Sequence, residues 1–573
     1  MITRLLRRSW VSVLFGVALI ALTVAPTGAQ EALPRNETLY VAGMQWSTFQ
    51  TFNPLAAVAT FPAIGENTYT YETLFAFNVA TGNLDPLLAK DLTFTDETTA
   101  VVTLHDGTHW QDGEPLTVDD VVFTYELAKE HNVRNYSDFW LYVDEVTATG
   151  DRTIEFKLNP DRINAGLLKR WLSNAHILPQ HIWAERAESE DLVQFVETDP
   201  VGSGPYKVLD YSIERIALVR DDNYWGASVY GLPAPKYIVH PIFASNDEGN
   251  LAFQNGQVDL SQQFAPQIWK MWEDLQLPVG TYYKEPPYHI PGNIPLLHIN
   301  THRPGLDNVL VRRALAYSIN YAQIAEVAMS RYSAPAQASL IIPEGGEAQY
   351  FNAEQVAELG WEYDPAEAQR ILEEDLGATK GDDGIYVLPD GTRLGPYTAM
   401  AVYGWTDWQT AVEIAAQNAT EAGIEVVTEF PEQPVLYSRR NAGDFDLLIF
   451  TYAGATPASP WQRFRDALDI RGVPDFGESA NWNWGRFEHP DVADLLDQAA
   501  AATDLETQKE LFSALDRIFL ENIPVIPLMY RPLEFYEFNE SVWTGFPTAD
   551  NPVAPPMHEE AGVELLYVIE PKE

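Results

Sequence analysis

Cysteine is missing altogether from this chain of 573 residues. That absence excludes disulfides, thiolate metal sites, thiol catalysis and a lipid-modified N-terminal Cys, and it suits an oxidising compartment. Positive charge is scarce too: 36 Lys and Arg stand against 82 Asp and Glu, a formal net charge of −46. Such a surface repels phosphate backbones and anionic lipid headgroups over a Debye length, so nucleic acid is not an expected partner. Beyond the N-terminus no run is long and apolar enough to cross a bilayer. Nor is there a Gly-x-x-x-x-Gly-Lys phosphate loop, which assigns any ATP hydrolysis to another protein. Internal repeats and low-complexity tracts are likewise missing.

What is present is ample material for more than one core. Hydrophobic residues make up 46% of the chain, aromatics 12% and charged residues 21%. These proportions exclude wholesale disorder, and the length predicts two or three lobes. Residues 1–29 read as a secretory signal: Arg4, Arg7 and Arg8 lead into an apolar stretch over 11–24, and Thr27-Gly28-Ala29 forms a small-residue cleavage site. The apolar stretch falls short of the roughly 20 residues of a membrane-spanning helix. An exported protein follows, periplasmic or cell-surface associated and soluble once the signal is removed. Both the general and the twin-arginine export routes fit Arg7-Arg8.

Along the rest of the chain, apolar and polar residues alternate over 71–123 between the turn signals Gly82-Asn83, Asp106-Gly107 and Asp112-Gly113. Thr117, with Asp120 three residues on, predicts a capped helix beginning at Val118. Gly202-Ser203-Gly204-Pro205-Tyr206 opens a further strand pair, and Asn255-Gly256 stops a helix ahead of another strand. From about 297 onward, helical spacing over 306–321, 354–377, 411–423 and 504–520 alternates with strands, which favours open sheets covered by helices. Pro524 and Pro527 suit an edge strand or a crossing between lobes rather than a central strand.

Several ordered blocks carry a resemblance. They are Tyr71-Glu72-Thr73-Leu74 with Pro86-Leu87-Leu88-Ala89, the run 104–121 (LHDGTHWQDGEPLTVDDV), Val201-Gly202-Ser203-Gly204-Pro205-Tyr206, Asn300-Thr301 ahead of Val311-Arg312-Arg313-Ala314-Leu315, and Ile526-Pro527-Leu528. Together they resemble the extracellular solute-binding proteins of ABC importers, family 5, the class of oligopeptide, dipeptide, nickel and cello-oligosaccharide receptors. His105 and Trp110 depart from the commoner Arg and Phe of that class. Read physically, the Asp-Gly turns, strand aromatics and caps of these blocks serve folding. The resemblance implies an α/β, periplasmic-binding-protein-like fold of two lobes joined by two crossings near 297–301 and 525–531, with a third, smaller domain. Mapped here, the first lobe comprises 30–77, 200–297 and 530–573, the small domain 78–199 and the second lobe 298–529. It further implies a monomer that needs no cofactor, performs no catalysis, and works with the permease and ATPase subunits of an importer.

The ligand class is argued from the 16 Trp. Pyranose rings lay apolar faces on indoles while their hydroxyls need short polar partners. Trp beside such residues occurs at Gln45-Trp46-Ser47, Trp405-Thr406-Asp407-Trp408 and Asn481-Trp482-Asn483-Trp484. The stretch 404–409, and Pro286-Pro287-Tyr288 leading to Asn300-Thr301, resemble the corresponding segments of cello-oligosaccharide receptors. Peptide receptors of this class carry a carboxylate for the ligand's amino group after a Phe-Asp strand. Here Phe445-Asp446 is followed by no acid until Asp466. The expected ligand is therefore an oligosaccharide, β-linked gluco- or cello-oligosaccharide above others, with an oligopeptide as the alternative. Trp46 and Asn53 are expected to serve the first lobe, Trp405, Asp407, Trp408, Tyr452, Trp461 and Asn481 the second, and Asn300 the crossing. A glycosidase is a distant alternative, since abundant carboxylates do not reveal a catalytic pair. His298 and His302 fall four apart in an apparent strand, too far apart for one metal, so no metal site is expected.

Overall fold

The computed structural model describes residues 33–43, 49, 51–56, 69–131, 133, 136, 138–188, 192–502, 504–552 and 561–573. The expected signal sequence and Trp46 lie outside the described residues. Among those residues no helix is long and apolar enough to cross a membrane.

Two large sheets organise the chain. The first has seven strands in the order Val279–Thr281, Glu537–Asn539, Leu260–Ser261, Thr38–Ala42, Tyr237–Pro241, Arg215–Arg220 and Tyr206–Tyr211. Its central strand Thr38–Ala42 runs parallel to both neighbours. Leu39 and Val41 on one face and Thr38 and Ala42 on the other are all fully buried, as a strand covered on both faces requires. The second sheet has five strands in the order Val426–Glu429, Tyr397–Met400, Leu447–Phe450, Leu296–Ile299 and Val525–Pro527. A third, antiparallel sheet joins Ala89–Phe94, Thr99–Leu104, Thr153–Leu158 and Val143–Ala148, with helix Val118–Glu130 packed on it. The result is the mixed α/β, two-lobed architecture expected from the sequence.

The predicted helices form close to their expected bounds, at Val309–Ser318, Thr406–Glu421 and Leu505–Asn522; the Asn308 and Asp504 side chains cap the first and last, while Trp405 merely precedes the middle one. Val525–Pro527 pairs on one side only, so its proline's missing N–H interrupts no ladder. The crossings differ from expectation by a few residues. Leu296 already pairs with Pro527 inside the second sheet, which places the two passages between the large sheets at 282–295 and 528–536. These passages lie side by side: Gly292 and Asn293 donate backbone N–H bonds to the Arg531 carbonyl at 3.0 and 2.8 Å, and Arg531 returns one to Asn293 at 3.0 Å.

The ordered blocks act as fasteners between modules. Gln111, in the turn after Trp110, accepts from the Gly202 N–H at 3.1 Å and donates to the carbonyls of Gly204 and Tyr206 at 2.9 and 2.7 Å. Gly202 must be glycine because a Cβ there would fall 1.8 Å from the Thr70 carbonyl oxygen. Asp120 accepts from the Thr117 N–H at 2.8 Å, the expected box, and from the Gln180 N–H at 2.9 Å. Glu72 lies fully enclosed and accepts from the Tyr224 hydroxyl at 2.5 Å and the Trp225 indole at 2.8 Å.

Burial lifts the Glu72 carboxyl from its ordinary 4.5 to about 7, against the pull of those donors. The folded state thus holds this proton more tightly than the unfolded chain does. Its stabilising contribution is complete below pH 4.5 and is lost as pH rises through about 7. In a comparison with Glu72→Gln, which stays neutral, the wild-type advantage in unfolding free energy should shrink by on the order of 1 kcal/mol or more between about pH 5 and pH 8. Calorimetric unfolding across that range checks it, and a pH-independent difference between the two proteins would exclude a neutral Glu72.

Candidate functional site

Strands Tyr397–Met400 and Leu447–Phe450 are parallel. Leu296–Ile299 runs against both Leu447–Phe450 and Val525–Pro527. Val426–Glu429 is parallel to Tyr397–Met400 as well, so four strands end at one edge of the second sheet and release 401–405, 430–432, 451–460 and 528–531 there. Carboxyl edges of open α/β sheets collect ligands because the loops and helix starts converge at them. Here the edge also adjoins both passages toward the first sheet.

Aromatic side chains form a continuous row at this edge. Trp405 precedes helix Thr406–Glu421 and Trp408 follows one turn on; their rings meet edge to face at 4.8 Å. Trp408 meets Phe450 at 5.5 Å, Phe450 meets Trp484 at 5.5 Å, and Trp484 stacks on Tyr452 at 4.8 Å. Strand alternation places Phe450 and Tyr452 on one face, and His298 on the neighbouring strand shares it. The His298 ring packs against Tyr452 and Trp484 at 4.7 and 4.9 Å. Trp405 is half-buried whereas Trp408, Tyr452 and Trp484 are buried.

Polar groups are threaded through the row. Arg440, on helix Gln433–Ala442, lays its guanidinium over Tyr437, Phe450 and Trp484 at 4.5, 4.1 and 4.2 Å from their centroids. Burial lowers Arg440 from 12.5 to about 10, still charged at neutral pH. Its neighbour Arg439 pairs with Glu429 and Asp444, but among the described residues no carboxylate pairs with Arg440. The acids nearby are taken: Asp407 meets Arg531 Nε at 3.3 Å and Asp466 meets Arg465 at 2.6 Å. His298 is held neutral by burial, its pKa lowered to about 3. Its Nε2 lies 3.1 Å from the Phe450 carbonyl, and a ring that donates there leaves the buried, unpartnered Nδ1 as an acceptor. Burial also keeps the Tyr452 phenol protonated.

Beside this edge lies a cavity of about 890 Å³, walled by the hairpin strands Phe75–Asn78 and Asn83–Pro86, helix Ala165–Asn174 and residues of 455–459 and 342–350. That volume is in the range that encloses small-molecule ligands.

The structure brings Trp405, Asp407, Trp408 and Tyr452 together and separates the others. Asn300 is corrected from the crossing to the opposite edge of the sheet: Ile299 pairs with Leu447, at the start of the strand whose end carries Phe450. Its side-chain amide donates to the carbonyls of Gly443 and Phe445 at 3.1 and 3.0 Å and accepts from the His302 N–H. Asn53 is fully buried, donating to the carbonyls of Leu192 and Phe195 and accepting from the Leu55 N–H. Both amides are thus engaged by backbone rather than turned to a ligand. Trp461 donates its indole N–H to the Leu496 carbonyl at 2.8 Å, and Asn481 is exposed. Sequence reasoning passed over Phe450, Trp484, His298, Arg440 and Arg531. The first three had a signal, since Trp484 ends a Trp-Asn-Trp run and the others alternate on paired strands. Arg440 had none, because its three rings are scattered over 437–484.

Replacing Asn300 by Ala strips the Gly443 and Phe445 carbonyls of a shared donor, and should cost about 1–3 kcal/mol of stability. Ligand affinity should stay at the wild-type value. Denaturant unfolding together with titration calorimetry checks both parts, and an affinity loss without a stability loss would return Asn300 to the binding surface.

Comparison with known proteins agrees with this architecture. The family described as bacterial extracellular solute-binding proteins, family 5, matches residues 83–466. The periplasmic oligopeptide-binding protein of a Thermotoga maritima oligopeptide ABC transporter, solved with mannohexaose bound, superposes with a TM-score of 0.81 at 31% identity, covering 95% of this chain and 100% of that one. The probable peptide-binding protein YejA of Agrobacterium fabrum is 25% identical over 522 residues, covering 84% of this chain and 83% of the relative. The fold alone is shared with the oligopeptide-binding protein AppA of Bacillus subtilis, solved with a nonapeptide, at a TM-score of 0.70 and 19% identity over 94% of this chain and 99% of that one. The chain belongs to the bacterial extracellular solute-binding proteins of family 5, non-enzymatic receptors that serve as substrate-binding components of ABC importers.

Proposed function

We propose that the protein captures a neutral oligosaccharide between its two lobes and delivers it to the permease of an ABC importer. The observation that carries this reading is the aromatic row of Trp405, Trp408, Phe450, Trp484 and Tyr452, beside which Asp407 and Asp466 are already paired. Flat rings match the apolar faces of pyranoses. The indole, phenol and imidazole edges, with Arg440, match ring hydroxyls. At the row itself a ligand ammonium would meet Arg440 and the paired Asp407 and Asp466, an unfavourable burial, while Glu432 and Glu344, unpaired among the described residues, lie outside the row, on an exposed helix start and in the wall of the neighbouring cavity. The mannohexaose held by the Thermotoga maritima relative supports the same class. β-Linked gluco-oligosaccharides remain the sugar that the sequence favours, and manno-oligosaccharides the one that this relative favours.

Closure follows from differential contact. A ligand favours the closed state only as far as it touches both lobes. Trp46, which follows the central strand Thr38–Ala42 of the first sheet in sequence, would supply the first-lobe platform. Trp405, Asp407, Trp408 and Tyr452 would supply the second. An oligopeptide is the second reading, favoured by the peptide-binding names of relatives such as YejA and by Arg440, which could receive a terminal carboxylate.

Thermal unfolding in the presence of cello- and manno-oligosaccharides from dimer to hexamer, beside mixed oligopeptides, separates the two by mass action. Sugars should raise the melting temperature, and a rise with peptides alone overturns the saccharide reading. For Trp405→Ala, sugar affinity should fall by about 1 kcal/mol or more, roughly fivefold, with little change in stability. Calorimetric affinity equal to wild type would remove Trp405 from the binding surface.

A further inference from the structure

A second cavity, of about 520 Å³, lies between residues 138–163 of the small four-stranded module and helix Trp461–Leu468 of the second lobe. It shares the lining residues Ile163, Ala500 and Ala501 with the 890 Å³ cavity, whose lining includes 455–459 of the loop that follows Tyr452. Its own aromatic lining is Tyr142, Trp461 and Trp482. We propose that the two cavities form one ligand track and that this end of it is a distal saccharide subsite, which holds the far sugar rings of a ligand several residues long.

Three observations carry the assignment. Trp482 lines the cavity half-buried while its Nε1–H is enclosed, so what it offers a sugar is ring surface. The inner charges of the lining are paired, Arg465 with Asp466 at 2.6 Å and Arg471 with Asp469 at 2.8 Å and Asp497 at 2.9 Å, while Asp138, Asp161 and Arg162 are exposed to water. Paired guanidinium and carboxylate groups still hydrogen-bond hydroxyls but offer little net field to a phosphate or an ammonium. Finally, the Arg465 guanidinium lies 4.9 Å from the Trp482 ring centroid, fixing that ring while Tyr142 faces the cavity from the small module. A ligand that spans the track would tie the small module to the second lobe. The assignment rests on the saccharide reading above, extending it from ligand class to ligand length.

The experiment is titration calorimetry on the full mature chain with mannohexaose, and with the shortest manno-oligomer that the wild type binds, for wild type, Trp482→Phe and Trp482→Ala. The expected result is a loss of about tenfold in hexamer affinity for Trp482→Ala, with short-oligomer affinity unchanged and most of the hexamer affinity kept by Trp482→Phe. Unchanged hexamer affinity in Trp482→Ala overturns the subsite and leaves the saccharide reading standing. An equal loss for both lengths also overturns it, because the effect would then lie at the aromatic row. Peptide binding without any saccharide binding by the wild type overturns both. Should Trp482→Ala fold poorly, amide exchange on the wild type decides: protection of 461–472 by mannohexaose but not by the short oligomer supports the subsite, and no protection there overturns it.

Discussion

Arg531 ties the two passages between the lobes to the aromatic edge of the second sheet. Its backbone carries all three hydrogen bonds that bind 528–536 to Gly292 and Asn293. Its guanidinium holds Asp407 at the start of the helix that presents Trp405 and Trp408, and packs over Phe535 at 4.5 Å. One residue thus touches both the junction of the passages and the start of the aromatic helix, whose buried face (Trp408, Ala411, Val412, Ala415 and Ala419 among others) packs it onto the second lobe.

The charge distribution sharpens this picture. The chain carries a net charge of −46, yet beside the aromatic row Asp407 and Asp466 are held by Arg531 and Arg465, while Arg440 lies over rings with no ion-pair partner among the described residues. An arginine over three aromatic faces retains its charge, because the rings replace part of the lost hydration. It also stiffens them, since Tyr437, Phe450 and Trp484 share one guanidinium. Pre-organised rings give up little side-chain entropy on binding, and that favours rigid, weakly polar guests.

Much of the fold was legible from local chemistry. Thr117 with Asp120, Asn255-Gly256, and Pro524 with Pro527 each act through their own backbone, and each does in the structure what its local chemistry requires. The site was legible only in part. Trp405, Asp407 and Trp408 stood out because a single helix start carries them all. Asn300 and Asn53 looked like ligand groups for the same reason that makes them good structural clamps: a short amide bonds backbone carbonyls as readily as hydroxyls. Which of the two an asparagine serves depends on whether a loop folds back over it.

From sequence alone came the cysteine-free composition, the family, the mixed α/β class and the richness in indoles, because composition and ordered local blocks carry these without reference to distance. Only the tertiary structure decided that Trp484, Phe450, Tyr452, His298 and Arg440 belong with Trp405, and that Asn300 belongs to the opposite edge of the sheet. The physical reason is that strand direction and register determine which end of a strand faces the cleft. Those are set by pairing between segments as far apart as Leu296 and Pro527, a relation invisible in either segment by itself.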